Sequence, residues 1–178
     1  MRWWIKSISL LFSVMALVAC APASGRFVVD QARISGSVLN LRAHWQPDAD
    51  VLDALDHGIA LNFTVRLRAQ AQVAFGIYHT IFAQDRHLQL RYFPLSRQYQ
   101  LNDLDRGQVR SYAVRAAALA ALEDLRLRLD GRQPPGATRY QVSVQFDRDA
   151  LPGALRLPAL LRSAWHISSG SYTWQTGA

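Results

Sequence analysis

Ile59-Ala60-Leu61-Asn62-Phe63-Thr64-Val65-Arg66-Leu67-Arg68 is the stretch that decides the fold. Ile59, Leu61, Phe63, Val65 and Leu67 fall on one side, and Ala60, Asn62, Thr64, Arg66 and Arg68 on the other. This is the period of a strand with one face against a core and the other against water or a partner. The same alternation recurs at Leu39, Leu41, Ala43 and Trp45, at Leu88, Leu90 and Tyr92, and at Tyr140, Val142, Val144 and Phe146. Phe27 to Ile34 reads as an earlier, weaker strand before the turn Ser35-Gly36-Ser37.

Between these strands, Pro47, Asp48 and Asp50 mark a helix start and Gly58 its stop, giving a short helix over 48–57. Ala71 to Ala83 is apolar on both sides and leans toward strand, with Gly76 as a bend or bulge. Gln84-Asp85-Arg86 reads as a polar turn, and Gln98 to Leu101 as a strand closing a hairpin behind Pro94. Gln108 to Leu129, rich in Ala and Leu and ended by Gly131, reads as the one long helix. Leu155 to Leu161 is apolar but interrupted by Pro158, and Trp165 to Trp174 reads as a last strand pair or bent strand. Neighbouring strands with short links pair antiparallel most simply. The expected fold is α+β, a mostly antiparallel twisted sheet packed against one long and one short helix.

The N-terminus carries a different signal. Arg2 and Lys6 precede an apolar run from Ile8 to Val18, and Leu17-Val18-Ala19-Cys20 closes it with the only cysteine in the chain. This pattern predicts a lipoprotein signal over 1–19, an acylated Cys20 with a short tether over 20–26, and one domain over 27–178. Ala19-Cys20-Ala21 and Ala21-Pro22-Ala23 also fit the small-x-small pattern of ordinary signal cleavage, which would leave a soluble periplasmic protein. The apolar run is well short of the roughly 20 residues that cross a bilayer. With Ala21 after the cysteine, the expected location is the outer membrane, facing the periplasm.

Of 178 residues, half are apolar and 19% charged, which excludes a disordered solvating chain. A single cysteine excludes a disulfide framework within one chain. The net charge of +7 falls to +5 once Arg2 and Lys6 leave, and every basic residue that remains is an arginine. A GC-rich genome gives the same arginine bias with no function attached; if the charge is functional, an exported protein is matched to anionic lipid headgroups, lipopolysaccharide or an acidic protein surface rather than to nucleic acid.

No motif specifies chemistry. There is no Gly-x-Ser-x-Gly elbow, and the serines at 35, 37, 168, 169 and 171 lie beside glycines, where turn geometry accounts for them. His44, His57, His79, His87 and His166 are too scattered for a zinc motif, so no metal or other cofactor is expected. His57 is placed to favour the C-terminus of the short helix. Glu123 with Asp124, and Asp147 with Asp149 around Arg148, read as solvated faces. Arg42, Arg66, Arg68 and Arg91 occupy the polar faces of strands. Were those strands neighbours, their guanidinium groups would converge into a phosphate or carboxylate site, the ordinary alternative being a sheet surface balanced by acids. Trp165, Tyr172 and Trp174 alternate as packing residues do.

Several short motifs together resemble an exported proteobacterial family, the domain of unknown function 4390, over residues 27–175. They are Ala54-Leu55 with Gly58-Ile59-Ala60-Leu61, Leu90-Arg91-Tyr92 with Leu95-Ser96 and Gln98-Tyr99, Leu151-Pro152 with Leu155-Arg156, and the stretch from Trp165 to Trp174. The resemblance implies an envelope protein with no assigned activity and no catalytic residues to carry over. Arg91, Tyr92, Ser96, Gln98 and Tyr99 match its densest motif, and Arg91, Tyr92, Gln98 and Tyr99 are candidate contacts for a partner or an anionic ligand; a tight hairpin locked by tyrosine packing explains the same residues without function. The expectation is a non-catalytic binding or regulatory lipoprotein serving a periplasmic partner, in envelope sensing or assembly. A periplasmic carrier of an apolar or lipid ligand is the alternative. A hydrolase is the third option, which a cleft gathering His79, His87, Asp85 and a serine would support.

Overall fold

A computed structural model describes residues 26–74, 76–131 and 134–175. The signal segment, Cys20 and the tether up to residue 25 lie outside the described residues. The elements are β1 (Phe27–Ser35), β2 (Val38–Trp45), α1 (Ala49–Asp56), β3 (Leu61–Ala74), β4 (Ile77–Phe93), β5 (Gln98–Asp103) and β6 (Gln108–Tyr112). They continue with α2 (Arg115–Glu123), β7 (Asp124–Arg128), β8 (Arg139–Phe146), α3 (Gly153–Leu161), a single 3-10 turn (Ser163–Trp165) and β9 (Tyr172–Gln175).

Among the described residues all the paired strands run antiparallel, in two sheets: β1-β2-β7, and β6-β5-β4-β3-β8-β9. The expected α+β class holds, with two sheets where one was expected. Alternation places Leu39, Leu41, Ala43 and Trp45 of β2 against Leu61, Phe63, Val65 and Leu67 of β3 in one continuous buried core. Phe63 is its aromatic centre, with ring centroids 5.3 Å from Trp45, 5.5 Å from Phe146 and 6.3 Å from Phe27. Trp165 extends the cluster from Phe146 at 5.8 Å. The chain therefore enters the domain, at Phe27, beside the first residues of β3.

The long helix expected over Gln108 to Leu129 is not formed. Gln108–Tyr112 pairs with β5, α2 takes only Arg115–Glu123, and Asp124–Arg128 pairs with β2. Leu125, Leu127 and Leu129 are buried in alternation; this period of two lay hidden behind an alanine run of high helix propensity, and tertiary pairing decided it. The expected polar turn at Gln84-Asp85-Arg86 is mid-strand in β4, and the reversal lies at Gly76, whose φ of +81° suits glycine. Leu155 to Leu161 is helical through Pro158, and the C-terminal stretch supplies one strand plus a single bridge from Ser168 to Gln145. The short helix formed as expected, capped by the Asp48 side chain accepting from the Asp50 N–H.

Gly58 joins α1 to β3 at φ +80°, and a Cβ there would stand 3.3 Å from the Tyr92 carbonyl oxygen. The left-handed backbone and the close approach act together. Gly58→Ala is expected to cost about 1–2 kcal/mol in chemical denaturation; an unchanged midpoint would show that the junction yields without strain.

Candidate functional site

β3 and β4 outrun their neighbours. The pairing of β3 with β8 ends at Gln70 opposite Arg139, and that of β4 with β5 ends at Leu88 opposite Asp103. Beyond Gln70 the two strands pair only with each other, as far as Ala74 opposite Ile77, and form a ribbon that leaves the sheet. Residues 69–84 include no Asp, Glu, Lys or Arg, although a chain 19% charged would place about three there. Two bulges interrupt the ribbon, between Ala69 and Gln70 and between Gln72 and Ala74. The residues left over by the register are Ile81 and Val73, which point apolar side chains to solvent at 39% and 69% exposure, beside Ile77 at 66%. Bulges re-aim side chains and twist an edge. Here they present branched apolar groups, whereas exposed edges are ordinarily blunted by charge. The outer edge of β4 from Ile77 to Arg86 has no strand beside it among the described residues.

The four arginines singled out from the sequence do not share one site. Arg42 stands on the other sheet, opposite Asp124 and beside Arg33, in a recess of about 80 Å³. Arg66 and Arg68 lie on the outer face of β3, and Arg66 faces Asp85 across the β3–β4 pair at 3.8 Å. Arg91 shares that face but lies six residues along β4 from Asp85, about 20 Å away. Its Nε donates to the Gly58 carbonyl at 3.1 Å, and its guanidinium stacks on Phe93 at 5.1 Å.

The dense Arg91-to-Tyr99 motif forms a locked hairpin. Tyr92 and Tyr99 are cross-strand partners with ring centroids 4.6 Å apart, Gln98 faces Phe93, and the Ser96 hydroxyl donates to the Phe93 carbonyl at 3.5 Å. The Tyr99 hydroxyl donates to Asp56 at 2.8 Å, and Arg115 pairs with the other oxygen of that carboxylate, so β5, α1 and α2 meet at Asp56. Burial, together with the hydrogen bond to Asp56 and its charge, pushes Tyr99 up to about 12. A raised folded value means that folding favours the protonated phenol. Its contribution is complete below the unfolded value near 10 and is lost as pH rises through about 12. Alkaline unfolding is expected to steepen in that window and to flatten in Tyr99→Phe; identical profiles would remove Tyr99 as the titrating group.

Where β3, β4 and β8 adjoin, a polar cleft of about 320 Å³ is lined by Arg66, Asp85, His87, Asp147, Arg148 and Asp149, among others. Three carboxylates face two guanidinium groups, so the cleft does not act as an anion fork. Asp85 and His87 are both present, but no serine lines the cleft, and His79 stands eight residues away on the ribbon, about 26 Å along the strand. His87 is held by Asp105, which accepts from its backbone N–H at 2.6 Å and lies 3.1 Å from Nδ1. Burial alone would raise the Asp105 carboxyl; the two His87 contacts and the nearby charges of His87 and Arg86 hold it below the usual range. The Ser169 hydroxyl serves its turn, accepting from the Val144 N–H at 2.9 Å and donating to the Gly170 carbonyl at 2.8 Å. Among the described residues no group of three His, Cys, Asp or Glu side chains is arranged to hold a metal ion.

The strand-leaning stretch from Ala71 to Ala83 with its bend at Gly76 is the ribbon, but sequence reading gave it no binding role and passed over the buried Arg86. The ribbon's signal was available as sixteen uncharged residues centred on Gly76. Trp165 is buried and Trp174 stacks on Tyr140 at 5.4 Å, so these aromatics pack as expected. His57 caps α1, its Nδ1 lying 2.7 Å from the Asp53 carbonyl oxygen.

Compared with known families, residues 25–175 match the model of DUF4390, a domain of unknown function. No curated protein and no solved structure matches the chain.

Proposed function

Because the chain belongs to the DUF4390 family, whose domain has no known function, we propose a function from its own residues: a non-catalytic binding module of the bacterial envelope. An acyl anchor on Cys20 tethers it to the inner leaflet of the outer membrane, and the β3–β4 ribbon is offered to a periplasmic protein. The observation that carries this reading is the uncharged ribbon, with Val73 and Ile77 exposed at its end and Ile81 exposed at its base. Exposed apolar groups collected on a projecting element mark interaction sites more reliably than scattered ones do. An open, uncharged strand edge also accepts a partner strand through main-chain hydrogen bonds, with alternate side chains supplying specificity.

Orientation supports the same reading. From Phe63, beside the chain entry, to Ala74 the strand covers eleven residues, about 36 Å. From Cys20 to Phe27 the chain spans at most about 25 Å fully extended. A tether that short keeps the entry end near the leaflet and directs the ribbon toward the periplasm. A photo-crosslinking residue at Ile77, compared with one at Arg126 on the other sheet, tests the binding role in cells. A discrete protein adduct from position 77 alone is expected. Lipid adducts only, or the same species from both positions, would sink the proposal.

A further inference from the structure

At the end opposite the ribbon, α3 presents a second apolar surface. Leu157, Leu160 and Leu161 are 70%, 51% and 87% exposed, while Ala159 is buried beneath them. Their spacing of three and four residues puts all three leucines on one stripe of the helix. A soluble protein ordinarily turns such a stripe inward; here it faces away from the core. Arg156 and Arg162 flank the stripe; the Arg156 Nε donates to the Leu151 carbonyl at 2.8 Å, and Arg162 pairs with Asp50 of α1.

The place of this helix in the fold identifies what covers it. Trp165, in the turn directly after α3, packs on Phe146, which packs on Phe63, which packs on Phe27, the first residue of β1. The leucine stripe and the point where the tether joins the domain thus share one end of the molecule. We propose that the leucine face of α3 seats on the lipid leaflet that holds the acyl chains, with Arg156 at the level of anionic headgroups. The helix is too short to span, and no helix among the described residues is long and apolar enough to cross a membrane. It lies in the interface, with apolar burial and attraction to anionic lipid acting together. The inference rests on the anchor reading for its orientation. It fixes how the domain stands on the leaflet, with α3 down and the ribbon away.

The test uses the full chain, isolated from membranes, with Leu160→Cys carrying an environment-sensitive dye; acylation would occupy the Cys20 sulfur and leave position 160 as the labelled thiol. Ile77→Cys is the control. In vesicles of phosphatidylethanolamine and phosphatidylglycerol with spin-labelled acyl chains, the dye at 160 is expected to be quenched and the dye at 77 not. A protein whose mass includes the acyl chains but whose dye at 160 is unquenched would overturn the leaflet seat and leave the anchor standing. Shielding of position 160 from a water-soluble quencher, without quenching by lipid, would assign the face to a protein or a second copy and equally overturn it. If the mass shows no acylation, the anchor reading fails separately. Flotation with the same vesicles then decides: binding that falls at least about tenfold in the Leu157→Ser, Leu160→Ser, Leu161→Ser triple variant, at unchanged melting temperature, upholds the seat, and no binding by the parent chain overturns it.

Discussion

Asp130→Ala is expected to lower the melting temperature by about 5–10 °C, the equivalent of about 2–3 kcal/mol in a domain of this size. The reason is Arg86, a guanidinium on the inner side of β4 with only 4% of its surface exposed. Its Nη2 donates to the Arg128 carbonyl and to Asp130 Oδ1, both at 2.7 Å, and Arg106 donates to the same carboxylate oxygen at 2.5 Å. Gln84 adds hydrogen bonds in both directions with Asp130, at 2.8 and 3.1 Å. This group joins β4 of one sheet to the chain leaving β7 of the other. The Asp130 side chain is itself 66% exposed, so the cost lies on the arginine: removing Asp130 leaves a buried cation with one carbonyl partner. Arg86→Met in the Asp130→Ala background is expected to recover most of the loss, because an apolar chain of similar length needs no counter-charge. Thermal unfolding checks both, and an Asp130→Ala melt that overlays the parent would show that Arg86 does not depend on this carboxylate.

Val73→Asp combined with Ile77→Asp is expected to do the opposite: leave folding intact and abolish binding. Both side chains are more than 60% exposed, and the ribbon they end contributes little to the core, so stability should change by less than about 0.5 kcal/mol. If these residues anchor a partner, each loss is that of an interface hot spot, about 2 kcal/mol or more, and affinity falls by about thirtyfold for one and about a thousandfold where the two add. The readout is the yield of the adduct formed from a crosslinker at Ile81 in cells. Full yield from the doubly charged variant would move the binding surface off the ribbon's end.

Where one face of a strand is dry and the other wet, the sequence was readable: β3, β8 and β2 stand where their alternation put them, and the α1 boundaries followed from Asp48 and Gly58. The region from Gln108 to Leu129 was misread because an exposed edge strand, a nine-residue helix and a buried strand follow one another without a break. High helix propensity spread across all three, and only pairing with β5 and β2 divides them. The ribbon was hard to read for a related reason. Along its β4 half Tyr78, Thr80 and Phe82 are half-buried while Ile77, His79 and Ile81 are exposed, so apolar residues fall on both sides, which is also what a buried segment shows. The arginines were legible as outward-facing residues, but whether they converge depends on strand order, which puts Arg42 in a different sheet from Arg66 and Arg91.

The orientation proposed for the molecule, with α3 at the leaflet and the ribbon toward a partner, depends on the proposed tether. The direct measurement is the intact mass of the mature protein extracted from membranes, beside a Cys20→Ala variant. A mass beginning at Cys20 and carrying acyl chains, absent from the variant together with its membrane fraction, is the predicted result. A mature chain beginning at Pro22 or Ser24 without lipid would contradict it and leave a diffusible periplasmic domain.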